Sequence, residues 1–187
     1  MRESSDSDMA LRLHQKGVPL GELFSFMSGL YFRGKLAYAR AFANAPADSN
    51  GVLVITASGG LVPPDTPITL DRLREISSGN VDPADAQYRA PLDRDARALS
   101  EEARADCEIV LLGSIATPKY VDPLLDVFGV RLLCPSEFIG RGDMSRGGLL
   151  LRCVQSGEQL TYIAVREAAR HGRKPPKLAP LLRKAHS

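Results

Sequence analysis

The sequence predicts an α/β protein: a three-layer α/β/α domain with a mostly parallel central sheet and a C-terminal antiparallel β-hairpin. Strand-like and helix-like segments alternate along the chain, which is typical of parallel sheets whose crossover connections are helices. Continuous apolar runs at 52–56 and 108–112 lack the alternation of half-buried strands, and they indicate strands covered on both faces. A hairpin is expected near the C-terminus because Ser156-Gly157 separates two further apolar runs.

Size and composition are those of one ordinary globular domain. The chain has 187 residues, of which 44% are hydrophobic and 25% are charged, and these values exclude collagen-like, coiled-coil and wholly disordered proteins. We divide the chain into a flexible N-terminus at 1–16, a single α/β domain at 17–165 and a basic C-terminal tail at 166–187. Within the domain, residues 62–92 are expected to be an irregular acidic insert.

The compartment is predicted from features that the sequence lacks. No apolar stretch has the length of a membrane span, and the first residues lack the basic and apolar regions of a secretory signal. Cys107, Cys134 and Cys153 have neither disulfide nor zinc spacing, and no His, Cys and carboxylate cluster has metal-ligand spacing. We therefore expect a cytoplasmic protein with no metal, no membrane partner and buried, unpaired cysteines.

The first elements are predicted to be helical. A short helix is expected at Met9–Gln15, and Pro19 opens a longer helical stretch. Apolar residues recur there at three- and four-residue spacing and define one buried face; they are Leu20, Leu23, Phe24, Met27, Leu30 and Tyr31. Gly29 and Gly34 weaken a single continuous helix, and the alanine-rich segment Lys35–Ala45 predicts a firm second part.

The first predicted strand is Gly51–Ala57, where β-branched residues are bounded by turn residues. It ends in the small-residue turn 58–60. Three prolines then exclude regular structure directly after the turn. Either Thr69 or Asp71 is expected to cap a short helix that ends at Ile76.

The second half of the domain continues the alternation of helices and strands. The predicted elements are the helix Asp93–Asp106, the strand Cys107–Leu112, the helix Lys119–Phe128 with Gly129 as its C-cap, and the strand Val130–Cys134. The glycine-rich loop Ser136–Gly148 follows. The predicted hairpin consists of Leu149–Val154 and Gln159–Val165.

A ligand site is expected beyond the carboxyl ends of the parallel strands, where open α/β sheets bind their ligands. The loops 56–61, 113–120 and 135–148 follow predicted strands and are rich in small and polar residues, so we expect them to converge. The expected ligand-binding residues are Ser58, Gly59, Gly60, Ser114, Lys119, Arg141 and Arg146. No dinucleotide fingerprint or P-loop is present, so no cofactor is predicted.

Each part of this site has an alternative interpretation. The turn 58–60 either offers backbone N–H groups to an anion or a flat base, or is a tight strand exit. Lys119 in the first turn of a helix opposes the dipole and indicates an anionic partner, with a solvated lysine as the alternative. Arg33 and Lys35 lie beside the predicted helix break, either on a solvated helix face or facing the same cleft.

The segment 140–148 combines four glycines with two arginines, an aspartate and a serine. The forked guanidinium groups of Arg141 and Arg146 suit a phosphate or carboxylate, and the alternative is an internal Arg–Asp network. Asp143 and Glu137 are the candidate catalytic residues, acting as general acid or base. For Glu137 the alternative is an exposed loop carboxylate.

The C-terminal tail is strongly basic. Seven of the 24 Lys and Arg residues lie in 166–187, where Glu167 is the one acid. The expected nucleic-acid contacts are Arg170, Arg173, Lys174 and Lys177. The alternative is a solvated or self-packing tail, and the absence of Trp leaves little material for base stacking.

Two stretches, Ser28–Arg40 and Val52–Val62, resemble a group of uncharacterised bacterial and phage α/β proteins, in which a similar helix precedes a strand with a small-residue end. The element order is also similar to that of uracil-DNA-glycosylase-like domains. In those domains a glycine-containing loop follows the first strand and a His-Pro-Ser motif follows the last. Residues 134–136 here are Cys-Pro-Ser, without the motif's histidine, and the first loop has no catalytic Asp. The resemblance covers about 12–62 and 107–140, and it implies a nucleobase pocket.

Three functional hypotheses follow from the sequence. The first is a nucleotide, nucleobase or sugar-phosphate binding protein, acting as a hydrolase or transferase through positioning and electrostatic stabilisation. The second is a non-catalytic nucleic-acid-binding module that uses the basic tail. The third is a partner-binding structural protein whose insert and tail are interaction segments.

Overall fold

A computed structural model describes residues 2–47 and 49–178, with side chains from residue 7 onward. The predicted mixture of helices and strands is confirmed, and the strands form three small sheets in the described residues. These residues show neither a long parallel sheet nor a three-layer arrangement. The mixed α/β class is therefore as expected, and the mostly parallel central sheet is not observed in these residues.

The chain begins with helix α1 (Arg2–Gln15), strand β1 (Val18–Pro19) and helix α2 (Leu20–Phe42). Gly17, with φ of 77°, reverses the chain after α1 so that Val18 and Leu20 enter the core fully buried. The weakening predicted at Gly29 is present as a break in α2, because Gly29 has φ of 68° and ψ of −146°. Helical geometry resumes after the break and continues to Phe42.

Strand β2 (Val54–Ile55) pairs antiparallel with β3 (Leu61–Val62), and β4 (Pro67–Ile68) pairs antiparallel with β1. The first predicted strand was expected in a parallel sheet, and this expectation is wrong. Gly60, with φ of 70°, turns the chain back within six residues, so that Val54 lies opposite Val62 in a short hairpin. The carboxyl end of β2 therefore does not belong to a parallel sheet edge.

Two helices lie in or beside the segment predicted as an irregular insert. Helix α3 (Leu70–Ser77) is capped by Thr69, whose hydroxyl oxygen accepts the Arg72 backbone N–H at 3.3 Å. Helix α4 (Ala86–Glu102) begins seven residues before the predicted start, with Asp85 as its cap. Tyr88 and Leu92 explain the earlier start, because their full burial extends the apolar face of the helix.

The parallel unit consists of β5 (Ile109–Val110), helix α5 (Pro118–Phe128) and β6 (Leu132–Pro135), with a 3₁₀ turn at Gly129–Arg131 before β6 and another at Ser136–Phe138 after it. Ile109 lies opposite Leu132 in parallel register. This is the one parallel pair in the described residues. Its crossover through α5 places the loops after β5 and β6 at the same sheet edge.

Helix α6 (Asp143–Ser156) occupies the place of the first predicted hairpin strand, and strand β7 (Tyr162–Ala164) pairs antiparallel with β6. The predicted C-terminal hairpin is therefore wrong. Gly157, with φ of 72°, is the left-handed C-cap of α6 and not a hairpin turn. Leu150 is fully buried, and Leu149, Cys153 and Val154 pack around the same cluster at helical spacing.

Helices α2 and α6 pack closely through two glycines. A methyl group added at Gly34 would lie 2.7 Å from the Gly147 carbonyl oxygen, and one at Gly147 would lie 2.8 Å from the Tyr31 Cα. The Tyr38 hydroxyl further ties α2 to the C-terminal strand region, since it lies 2.6 Å from the Tyr162 hydroxyl and accepts the Leu160 N–H at 2.8 Å. Glycine at both contact points thus sets the distance between the helices.

Gly34→Ala should lower the free energy of unfolding by about 1–3 kcal/mol, because the backbone of α6 has to move to accept the methyl group. Gly148→Ala is the matched control in the same helix pair, since its methyl group meets only the Leu178 side chain, at 3.5 Å. That control should raise stability by up to about 1 kcal/mol through helix propensity. Urea unfolding followed by circular dichroism measures both. A Gly34→Ala protein as stable as the original would contradict the close approach.

Candidate functional site

The candidate site lies where the loops after β5 and β6 meet α2 and the first turn of α6. It contains what we call the α6 N-terminal cluster: Tyr31, Lys35, Phe138, Asp143 and Arg146. Tyr31 and Lys35 stand one turn apart on α2, and Asp143 and Arg146 stand one turn apart on α6. The close packing at Gly34 and Gly147 brings these two pairs together.

Arg146 is an internal structural group, with only 7% of its surface exposed. Its Nε and Nη2 atoms donate to the Phe138 carbonyl oxygen at 3.2 and 2.9 Å, and Nη1 donates to Asp143 Oδ1 at 3.3 Å. The guanidinium also lies 5.3 Å from the centre of the Phe138 ring. The internal Arg–Asp network considered in the sequence analysis is therefore what the structure contains at Arg146.

Arg141 is also held by internal contacts. Its Nε donates to the Glu137 carbonyl oxygen at 3.1 Å, and its Nη1 donates to the Ser145 hydroxyl at 2.9 Å. Both bonds anchor the guanidinium along the loop before α6 while the side chain stays half-buried. Unlike Arg146, Arg141 forms no ion pair with a described residue, so its charge is not neutralised locally.

Lys35 is half-buried between aromatic rings. Its Nζ atom lies 4.5 Å from the centre of the Tyr31 ring and 5.5 Å from that of Phe32. Burial lowers the pKa of Lys35, the nearby Arg146 charge lowers it further, and the Asp143 charge opposes both. In the described part of the chain, no carboxylate lies within ion-pair distance of this ammonium.

Tyr31 connects the cluster to the end of β5. Its hydroxyl donates to the Leu112 carbonyl oxygen at 3.4 Å. Burial raises the pKa of Tyr31 to about 12, against the opposing charge of Arg146. The phenol therefore stays protonated, and acts as a donor, throughout the neutral pH range.

The predicted residues of the 113–120 loop follow Leu112, whose carbonyl oxygen accepts the Tyr31 hydroxyl. The Ser114 hydroxyl accepts the Ala116 N–H at 3.3 Å, which closes the loop before α5. The Lys119 Nζ atom lies 5.0 Å from the Tyr120 ring, and the Lys119 carbonyl accepts the Tyr88 hydroxyl at 2.7 Å. The structure thus places both residues at the expected edge of the parallel pair.

The two predicted catalytic carboxylates have different surroundings. Glu137 Oε1 accepts the Thr161 N–H at 3.2 Å and Oε2 accepts the Ser136 hydroxyl at 3.1 Å, so this side chain joins the end of β6 to the chain before β7. The Asp143 side chain is 67% exposed and bonds to Arg146 through one oxygen. Of the two, Asp143 has the more accessible carboxylate.

The turn 58–60 has partners on other elements. The Ser58 hydroxyl donates to the Glu75 carbonyl oxygen at 2.6 Å, and the Gly59 N–H donates to the Thr56 hydroxyl at 2.9 Å. The Leu61 N–H, directly after the turn, donates to Asp95 at 2.9 Å. These bonds are those of a tight hairpin turn held by α3 and α4, so the three loops do not meet at one parallel sheet edge as predicted.

An open groove of about 620 Å³ runs along the start of α6. The segment Arg141–Ser145 forms one wall, and Lys174–Lys177 from the tail forms the other. The tail passes close to two glycines near this groove. A methyl group added at Gly140 would overlap the Arg173 carbonyl, and one added at Gly148 would lie 3.5 Å from the Leu178 side chain. The groove unites Arg141 with cations that the sequence analysis assigned to a separate tail.

The predicted nucleic-acid contacts fall into two groups. Arg170 forms an ion pair with Asp122, at 3.0 Å. Arg173, Lys174 and Lys177 are exposed and form no ion pair with any residue in 2–47 or 49–178. The tail's other two cations beyond Lys177, Arg183 and Lys184, lie outside the described residues.

Two residues of the site were not among the predicted ligand contacts. Lys35 was assigned mainly to a solvated helix face, and Tyr31 to the buried face of the helix. Gly34 was the sequence feature that could have indicated their position, because a glycine inside a helix often marks the close approach of another element. Which element approaches was not visible in the sequence.

The described part of the chain contains no three His, Cys, Asp or Glu side chains placed to hold a metal ion. Nor does any described helix combine the length and apolar character that crossing a bilayer requires. No protein-family model matches the chain, and no significant match was found to a curated protein or to a solved structure. The resemblance given above therefore depends on its quoted residues alone.

Arg146→Met should lower the free energy of unfolding by about 1.5–3 kcal/mol, because Phe138 loses two charge-assisted donors in a buried position. Asp143→Asn is the control, since it alters an ion pair whose acid is 67% exposed and should cost less than about 1 kcal/mol. Thermal and urea unfolding measure both variants. If both variants lost the same free energy of unfolding, Arg146 would stabilise the protein through its ion pair with Asp143 and not through its bonds to the Phe138 carbonyl.

Proposed function

We propose that this protein binds a nucleoside phosphate, free or within a nucleic acid, in the groove between the start of α6 and the tail segment 174–177. One observation carries the proposal. Arg141, Lys174 and Lys177 line a single groove, and none of the three forms an ion pair with a described residue. Unneutralised cations along a shared groove are the arrangement that phosphate binding requires.

The start of α6 adds to this positive potential. Gly142 is the N-cap and supplies no side-chain hydrogen bond to the first turn, so the amide groups there are open to an anion. Asp143 brings a negative charge to the same wall, and its ion pair with Arg146 offsets that charge. The surplus of positive charge in the groove therefore comes from Arg141 and the tail.

Two structural features favour ligand binding over a hydrolase or transferase reaction in which arginine stabilises the developing charge. The groove is open along its length, and Arg146 is occupied by the Phe138 carbonyl and Asp143. The catalytic roles of Asp143 and Glu137, and the ligand contacts of the turn 58–60, Ser114 and Lys119, stay predictions. Met144 on the groove wall is 69% exposed and offers an apolar surface for a base or sugar.

The test uses Lys174→Glu/Lys177→Glu, with Lys16→Glu/Arg97→Glu as the matched control. The control makes the same change in charge at exposed positions outside the groove. Fluorescence anisotropy measures binding of a labelled ATP analogue and of labelled single-stranded and double-stranded oligonucleotides, at low and at physiological salt. The groove variant should bind at least about tenfold more weakly, and the control within about threefold of the original protein.

Comparing the ATP analogue with the oligonucleotides distinguishes a free nucleotide from a nucleic acid as the source of the phosphate. Binding of the oligonucleotides with a steep salt dependence, reduced in slope by about two in the groove variant, indicates a nucleic acid. Salt-tolerant binding of the ATP analogue indicates a free nucleotide. Loss of affinity that is equal in the control variant, or failure of every probe to bind the original protein, would overturn the proposal.

A further inference from the structure

We propose that Asp143 makes the groove selective for ribonucleotides, because its carboxylate accepts a hydrogen bond from the ribose 2′-hydroxyl of the bound ligand. This selectivity rests on the proposed function, since it requires a nucleoside phosphate in the groove, and it adds which sugar that ligand carries. Asp143 is the one carboxylate among the described residues that line the groove. Its bonding within the protein leaves part of it available to a ligand.

Asp143 has a partner within the protein for only one of its two carboxylate oxygens. Oδ1 accepts the Arg146 Nη1 donor at 3.3 Å, and no described residue donates a hydrogen bond to Oδ2. The Nε and Nη2 atoms of Arg146 are directed to the Phe138 carbonyl oxygen instead. The Asp143 side chain is largely exposed on the groove wall, so Oδ2 is accessible to a hydrogen-bond donor of a ligand.

A carboxylate in this groove disfavours a ligand that offers only phosphate oxygens. Arg141, Lys174 and Lys177 line the groove and attract a phosphate, whereas the charge of Asp143 repels it. The ionised oxygens of a phosphate accept hydrogen bonds and have no proton to donate to Oδ2. The carboxylate is therefore satisfied by a ligand that carries a hydrogen-bond donor close to its phosphate group.

The other groove residues do not distinguish one base from another. Met144 is exposed on one wall, Pro175 and Pro176 lie on the other, and their apolar surfaces suit any base or sugar. The described groove residues include no aromatic side chain, and the Ser145 hydroxyl already accepts a hydrogen bond from Arg141. The donor that every ribonucleotide carries close to its phosphate is a ribose hydroxyl, and the 2′-hydroxyl is the one that distinguishes RNA from DNA.

The experiment compares ligands that differ only in the 2′-hydroxyl. Fluorescence anisotropy measures the affinity of the full chain for labelled single-stranded RNA and DNA of one sequence, composed of A and C so that uracil and thymine do not differ. Competition with ATP and with 2′-deoxy-ATP measures the free nucleotides. Whichever kind of ligand binds, its ribose form should bind about five- to tenfold more tightly than its deoxyribose form, as one added hydrogen bond to a carboxylate predicts.

Asp143→Ala removes the acceptor and its charge together. The two sugar forms should then bind within about twofold of each other, and the deoxyribose form should bind more tightly than it binds the original protein, because the repulsion of its phosphate is lost. Asp143→Asn keeps one acceptor without the charge and should give an intermediate ratio of the two affinities.

Asp71→Ala is the matched control. Asp71 pairs with Arg74 at the same i,i+3 spacing in the first turn of α3, and neither residue lines the groove. This control should leave the ratio of ribose to deoxyribose affinity unchanged. If Asp143→Ala instead weakened both sugar forms by the same factor, Asp143 would have only a structural role and the proposed selectivity would be wrong.

The remaining outcomes distinguish the selectivity from the proposed function. Equal affinity for the two sugar forms, with binding still weakened in Lys174→Glu/Lys177→Glu, would overturn the selectivity and leave the proposed function standing. A preference for GTP over ATP that is the same for their 2′-deoxy forms would also overturn it, because the carboxylate would then contact the N–H donors of guanine. Failure of every ligand to bind the original protein would overturn both proposals.

Discussion

The approach of α2 to α6 at Gly34 and Gly147 is the constraint on which the rest of the site depends. Two backbones in contact leave no space for side chains between them, so the side chains on either side of the contact are forced into fixed positions. Lys35 and Tyr31 on one helix then face Asp143 and Arg146 on the other. The site is thus a product of helix packing as much as of the parallel sheet edge.

Arg146 shows how structural and functional demands share one segment. Its buried guanidinium fixes the Phe138 carbonyl and one oxygen of Asp143, and in doing so it holds the start of α6 against the end of β6. The same charge acts on Lys35 and Tyr31 from within the protein. An arginine whose donors are bonded within the protein can therefore still set the electrostatics of its neighbours. The cations that form no ion pair with a described residue include those on the groove beside it.

Local signals predicted part of this arrangement, and tertiary contacts decided the remainder. The helix expected at Lys119–Phe128, its end at Gly129 and the strand after it were visible because periodicity and a C-cap glycine agree there. The C-terminal hairpin was wrong because a glycine after an apolar run serves equally as a hairpin turn or as the left-handed cap of α6. The segment 140–148 was identified as unusual from composition, but the partners of its arginines required the fold. Lys35 could be assigned to the site only once the helix packed against Gly34 was known.

The break at Gly29 divides α2 into two helical segments. In a straight α-helix the Cα atoms of Phe24 and Phe32 would be separated by about 12 Å along the axis, yet their rings meet edge to face with centroids 5.5 Å apart. The helix is kinked at the break, and residues from both sides of the kink form one aromatic contact. No neighbouring atom restricts the space at residue 29, and its identity is set by the backbone angle alone. A position with open space where its side chain would be thus determines which residues its own helix brings together.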